Sequence, residues 1–284
     1  MKRKIRYFLE TASVSALLYI FSKLPLDKAS SLGGFIGRSL GRYMSVNRKA
    51  LRNLERALPG KSSQDYQKII LGMWNNLGRV IAEYPHLEEI SKTRVEVVGM
   101  ENLRPVIGEG NTCIYFTGHL ANFEVPAAAA YQLGAPMDAI YRAANNPGVD
   151  KLLKKYRSMD GKIAVYPKSS QGMRDVMTAL KNKRRIGLLI DQKYNQGMAM
   201  PFFGRDAMTS PAFAQLAQKF KAPLLPAQIE RLDGAHFRLT INPPLETQGR
   251  ALEDIIADAH KMLESWITQR PEQWLWLHNR WRDK

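Results

Sequence analysis

In residues 113–131, CIYFTGHLANFEVPAAAAY, an apolar run ends at Gly118 and His119, and an Ala-rich run opens after Glu124. A histidine and a carboxylate can perform acid–base chemistry if their side chains meet. On a continuous helix, five positions turn one side chain about 140° from the other, so the pair would diverge. They meet if His119 lies on the turn closing a strand and Glu124 lies in the first turns of the next helix. Gly118 permits the sharp turn, and strand ends of open α/β sheets face the usual crevice. A carboxylate there would hold the imidazole in the tautomer whose other nitrogen accepts a proton. His119 is then a general base and Glu124 its orienter. The competing reading is that both residues are structural. No G-x-S-x-G elbow and no second histidine at metal-ligand spacing accompany them, which disfavours hydrolase and metalloenzyme chemistry.

The chain around the pair has the texture to supply strand, turn and helix. Runs rich in β-formers at 95–99, 112–117, 138–142, 162–167, 186–191, 223–231 and 237–245 alternate with helical patterns at about 120–132, 147–158, 170–182, 210–220 and 251–269. This alternation predicts an α/β fold, a mixed and mostly parallel sheet flanked by helices. FRLTI and the two-prolined INPPLE indicate antiparallel members near one edge. Asp191 closes the run GLLID, another strand end on the same edge, where it serves the site or caps a turn. Residues 62–84 have helical spacing behind Ser/Asp cap candidates. The expected organisation is a helical part over 1–90 and one α/β catalytic domain over 91–284.

Composition narrows the partners. The single cysteine, Cys113, excludes a disulfide framework and suits a reducing compartment. Net charge is +16, and residues 1–60 hold twelve Lys/Arg against Glu10, Asp27 and Glu55, a net +9. Such a surplus attracts nucleic acid, anionic lipid or an acidic protein. The basic start lacks base-stacking aromatic interleaving and any zinc or helix-turn-helix pattern, so nucleic acid is not expected. Residues 7–26, YFLETASVSALLYIFSKLPL, are mostly apolar but short for a span, which needs roughly 20 residues. No small-residue cleavage site follows, so a signal peptide is rejected. A helix lying in the cytoplasmic leaflet is expected, with an ordinary core-covering amphipathic helix as the alternative. The Gly-Gly and G-x-x-x-G spacings in 29–44 suit close helix packing.

GHLANFE resembles the His-x4-Asp/Glu motif of glycerolipid-type acyltransferases, and more closely that of the bacterial lipid A late acyltransferases, approximately G-H-x-G-N-W-E. Asn122 and Glu124 match, while Ala121 stands for the glycine and Phe123 for the tryptophan. NRKALRNLERALP (47–59), DQKYNQGMAMPFFGRDAMTSP (191–211) and RPEQWLWLHNRW (270–281) follow in the family's order. Where the family often has D-Q-D, this chain has Asp191-Gln192-Lys193.

The resemblance implies transfer of a fatty acyl group from an acyl carrier protein to a hydroxyl of a phosphorylated, commonly Kdo-bearing glucosamine lipid. The expected setting is the cytoplasmic face of the inner membrane, with no cofactor or metal and a monomeric chain. It makes His119 and Glu124 catalytic and places Arg157, in the R-x3-G region, as an oxyanion donor or phosphate clamp, with Arg142, at a strand end, the second candidate for that role. Arg142, Asn122 and Asp191 become substrate contacts, Asp191 holding either Arg157 or a polar substrate group. No Gly-rich phosphate loop is present for coenzyme A. An acidic carrier would be steered by KLLKKYR (151–157), through Lys151, Lys154 and Lys155. PFFG (201–204) is pocket lining or core. Trp274, Trp276 and Trp281 with Arg280 and Arg282 form an interfacial edge or a packed terminal strand. The alternatives are acylation of another glycolipid, aminolipid or lysophospholipid, and, more remotely, a non-catalytic membrane-binding protein.

Overall fold

Pro25 separates the first two helices, α1 (Lys2–Lys23) and α2 (Leu26–Gly41), because its ring cannot continue the first helix yet suits the start of the second. The computed structural model describes residues 2–108 and 110–281, without the Lys2 side chain; Arg282 therefore lies outside the described residues. Three further helices follow: α3 (Asn47–Ala57), α4 (Ser63–Glu83), whose Ser62 cap accepts the Asp65 N–H, and α5 (Leu87–Thr93). The glycines of α2 are used for close approach. A Cβ on Gly37 would lie 2.3 Å from the Trp74 carbonyl oxygen, and one on Gly78 would lie 2.1 Å from that of Gly33. Helices α2 and α4 thus pack backbone to backbone. Among the described residues no helix is long and apolar enough to cross a membrane.

From Val95 the chain alternates: β1 (Val95–Val98), α6 (Met100–Leu103), β2 (Ile114–Thr117), α7 (Val125–Gln132), β3 (Met137–Tyr141), α8 (Pro147–Arg157), β4 (Val165–Pro167), α9 (Ser170–Lys181) and β5 (Arg185–Leu189). A hairpin, β6 (Met198–Phe202) and β7 (Arg205–Thr209), precedes α10 (Ala212–Phe220), β8 (Leu224–Arg231), β9 (Phe237–Ile241) and α11 (Leu252–Gln269). The seven-stranded sheet has the order β1-β9-β8-β2-β5-β3-β4. Strands β8, β2, β5, β3 and β4 run parallel, whereas β9 runs antiparallel to β8 and carries β1 on the edge. The sheet is mixed and mostly parallel, with its antiparallel member where FRLTI indicated. Phe116 of β2 packs on Phe213 of α10 and Trp266 of α11. One apolar core runs from Leu18 and Leu54 in the helical part to these residues.

The β6–β7 hairpin has no counterpart in the predicted elements. Its two-residue turn places Phe203 at φ 51° and Gly204 at φ 67°, the left-handed pair such a turn requires. Phenylalanine is a poor signal for that conformation. Phe202 is fully buried and Phe203 half-buried.

Candidate active site

Strand β2 delivers the chain to Gly118, where a Cβ would stand 3.2 Å from Asp191 Oδ2. That clearance lets the backbone and side chain of His119 close on one carboxylate. Asp191 Oδ2 accepts the His119 backbone N–H and Oδ1 accepts its Nδ1–H, both at 2.7 Å. The indole of Trp274 donates a third bond to Oδ2, also at 2.7 Å. Asp191 is only 2% exposed. Burial pushes its pKa up, but the His119 imidazole and the three hydrogen bonds outweigh this and hold the carboxyl below the usual carboxylate range. With Nδ1 donating, Nε2 carries the lone pair, and the Gln192 amide lies 3.1 Å away as its donor. The site thus contains an Asp191–His119 dyad with Nε2 set to accept a proton.

Glu124 is not the orienter of His119 that the spacing predicts; it bonds to Tyr84 and Arg157 instead. Glu124 follows the turn, not the strand end, and its Oε1 accepts from Tyr84 Oη at 2.6 Å and from Arg157 Nε at 2.7 Å. Arg157 also donates to Tyr84 Oη at 3.0 Å and lies over the rings of Tyr84 and Tyr141. Burial works against the guanidinium charge, yet Glu124 and then Tyr84 more than offset it and raise the Arg157 pKa. The Tyr84 hydroxyl is pushed well up, by burial first and by Glu124 second. Asp191 does not hold Arg157; Glu124 does. The second cluster is a carboxylate-fixed arginine.

Asn122, expected to touch substrate, is fully buried under the loop. Its amide donates to Glu83 at 2.8 Å, and its oxygen accepts the Glu124 backbone N–H at 3.1 Å. Glu83 is in turn forked by Arg231 at 2.5 and 2.9 Å and accepts the Ser30 hydroxyl at 2.6 Å. The residue is a buried strut, because its position in the turn directs it into the protein. The C-terminal segment clamps the same loop: Ala121 N–H donates to the Gln273 carbonyl and Leu275 N–H to that of His119.

Arg142 and the helix α8 residues Lys151, Lys154 and Lys155 are exposed, with Lys155 3.7 Å from Asp160. Lys193 donates its backbone N–H to His278 Nε2 at 2.9 Å; burial lowers the pKa of that histidine to about 4, so it stays neutral. The tryptophans of the terminal segment are not an interfacial edge. Trp274, Trp276 and Trp281 are all buried, in an irregular segment with one isolated bridge, Leu120 to Trp274. Sequence reasoning missed Trp274, Gln192 and Tyr84 as members of the site. Gln192 was legible as the neighbour of Asp191, and Trp274 lay inside a quoted motif. Tyr84 had no signal beyond its place at a helix end before Pro85.

Comparisons with known proteins bear on what this geometry serves. The family model described as bacterial lipid A biosynthesis acyltransferase matches residues 2–283. The chain is 27% identical to the lipid A biosynthesis lauroyltransferase of Escherichia coli (strain K12), over 98% of this chain and 93% of that protein. It is 25% identical to the lipid A biosynthesis palmitoleoyltransferase of the same strain, over 94% of this chain and 89% of that protein. Among solved structures, the 1-acyl-sn-glycerophosphate acyltransferase of Thermotoga maritima matches with a TM-score of 0.44 at 14% identity, over 88% of this chain and 99% of that one. With a matched family model spanning the dyad, the fixed arginine and the segments that clamp them, the chain belongs to the bacterial lipid A biosynthesis acyltransferase family.

Proposed function

We propose that the protein transfers a fatty acyl chain from the thioester of an acyl carrier protein to a hydroxyl of a phosphorylated, Kdo-bearing glucosamine lipid, at the cytoplasmic face of the inner membrane. The observation that carries the catalytic part is the Asp191–His119 dyad, whose Nε2 lone pair is open to a hydroxyl proton once Gln192 yields its place. His119 takes that proton as the oxygen attacks the thioester carbonyl. Asp191 stabilises the imidazolium formed. Arg157, with Nε and one terminal nitrogen engaged by Glu124 and Tyr84, offers its other terminal nitrogen to the tetrahedral oxyanion. Collapse expels the thiolate, which recovers a proton from the imidazolium, and no covalent acyl-enzyme forms. The exposed lysines of α8 supply a cationic face for an acidic carrier. Exposed apolar residues on α1 and α2 beside their basic residues support membrane attachment.

Purified protein given acyl carrier protein thioester and the glucosamine lipid, with and without Kdo, tests this by mass spectrometry. The expected product is heavier by one acyl group, and the Kdo-bearing acceptor reacts faster. Transfer to a lysophospholipid and to neither glucosamine lipid would favour the alternative acceptor class.

A further inference from the structure

Strands β3 and β4 are parallel neighbours whose register pairs Ala139 with Val165, Ile140 with Tyr166 and Tyr141 with Pro167. The next step in that register places Arg142 beside Lys168, and the Lys168 backbone N–H donates to the Tyr141 carbonyl at 2.7 Å. Both side chains are exposed, and neither has a carboxylate at ion-pair distance among the described residues. Asp150, the acid that follows in the chain, is occupied by Tyr141 Oη and the Ala144 N–H. The Lys168 ammonium lies 4.8 Å above the Tyr194 ring. Crowding around it, and then the Arg142 charge, pull its pKa below the ordinary lysine value. The fold therefore holds two cations together with no anion of its own between them. Helix α9 begins two residues after Lys168 and adds partial positive charge from its N-terminus.

The edge on which they stand is the edge of the dyad. Strands β2, β5, β3 and β4 are parallel and adjacent in that order, so β4 lies three strand spacings, about 14 Å, from β2 and His119. That separation exceeds one sugar ring but lies within the span of an extended, multi-sugar glycolipid headgroup, so one substrate can reach both the pair and His119. We infer that Arg142 and Lys168 form a phosphate-binding pair that takes a phosphate of the acceptor lipid, an inference that rests on the acceptor class proposed above. A dianionic phosphate suits two adjacent cations, one planar and one compact. A carrier protein would instead spread its contacts over a wider face such as the lysines of α8.

The test uses Arg142→Gln, Lys168→Gln, the double variant and the conservative Lys168→Arg. Each is given the phosphorylated glucosamine lipid and its phosphatase-treated counterpart. Binding of each lipid in mixed micelles is measured at equilibrium, alongside KM for lipid and for carrier thioester. The wild type should prefer the phosphorylated lipid. Each single Gln variant should lose about 10-fold of that preference, from a charge-assisted hydrogen bond, and Lys168→Arg should restore most of it. A double variant that keeps the preference overturns the pair, as does a rise confined to the KM of the carrier, which would assign the pair to the donor. Because binding needs no turnover, a wild type with a pair-dependent preference but no transfer would fail the proposed reaction and leave the pair standing.

Discussion

Asp191, buried, and Glu124, partly buried, are two carboxylates with different duties, and their partners separate them. Asp191 holds an imidazole, so replacing it with asparagine keeps the shape while removing the charge that stabilises the imidazolium. The new amide also favours the wrong tautomer. We expect Asp191→Asn and His119→Ala each to lower kcat by about 10²-fold or more, with folding checked by circular dichroism. Glu124→Gln acts through Arg157 and should lower kcat while leaving the His119–Asp191 hydrogen bond in place, which the Nδ1–H proton resonance can follow. Wild-type turnover by Asp191→Asn would remove that residue from the mechanism. Ala121 makes a separate point. It is buried at φ 46°, a left-handed conformation that costs an L-residue about 1–2 kcal/mol, at the position where the family motif has glycine. Ala121→Gly should hold stability within about 1 kcal/mol, strain relief opposing the entropy glycine loses. Ala121→Val should cost well over that, because its branched Cβ is excluded there. Urea midpoints of the two variants decide the matter.

The loop His119–Glu124 is held by Asp191 after β5, Glu83 of α4, Tyr84, Arg157 of α8 and the C-terminal segment, and their packing explains what sequence could and could not reveal. Strand ends, helix spans and the α2 glycine spacing were legible because each is a local signal: alternation, periodicity, or a residue without a side chain. The partner of His119 was not. Asp191 reaches it only because β5 pairs with β2, a contact between residues 72 positions apart, and spacing along one segment cannot report such a pairing. The same holds for Glu83, which closes α4 yet supports Asn122 and Arg231 across the fold. This network carries its own prediction. Arg231→Met would leave the fully buried Glu83 carboxylate without its cation, at a cost of about 3–5 kcal/mol, and would loosen Asn122 and with it Glu124. The expected result is a lower melting temperature together with reduced kcat at temperatures where the variant remains folded. A melting temperature equal to wild type would show that the pair is not structurally coupled to the loop.

At the scale of the whole molecule, the basic N-terminal part both packs on the core and leaves large apolar side chains exposed. Leu18 and Phe21 of α1 are buried, so the helix belongs to the folded protein, and deleting residues 1–26 would expose core as well as remove the proposed membrane-facing surface. Its other face is open. Phe8 is 71% exposed and Phe35 of α2 is 66% exposed, with Ile5, Leu9, Tyr19, Ile20 and Leu40 also uncovered. Arg3, Arg6 and Lys23 stand beside the α1 tyrosines Tyr7 and Tyr19. Aromatic rings with flanking cations suit the boundary between headgroups and acyl chains. Burying one phenylalanine there contributes about 2 kcal/mol, and nearby cations add attraction to anionic lipid that salt screens. Phe8→Ser with Phe35→Ser removes the two most exposed phenylalanines without touching the core. Sedimentation with vesicles containing anionic lipid should show binding weakened by about 10²-fold or more, and high salt should weaken the residual binding further. The melting temperature of the free protein should stay close to wild type, since neither ring is packed. If the double variant sediments like wild type in high salt, attachment depends on some other surface.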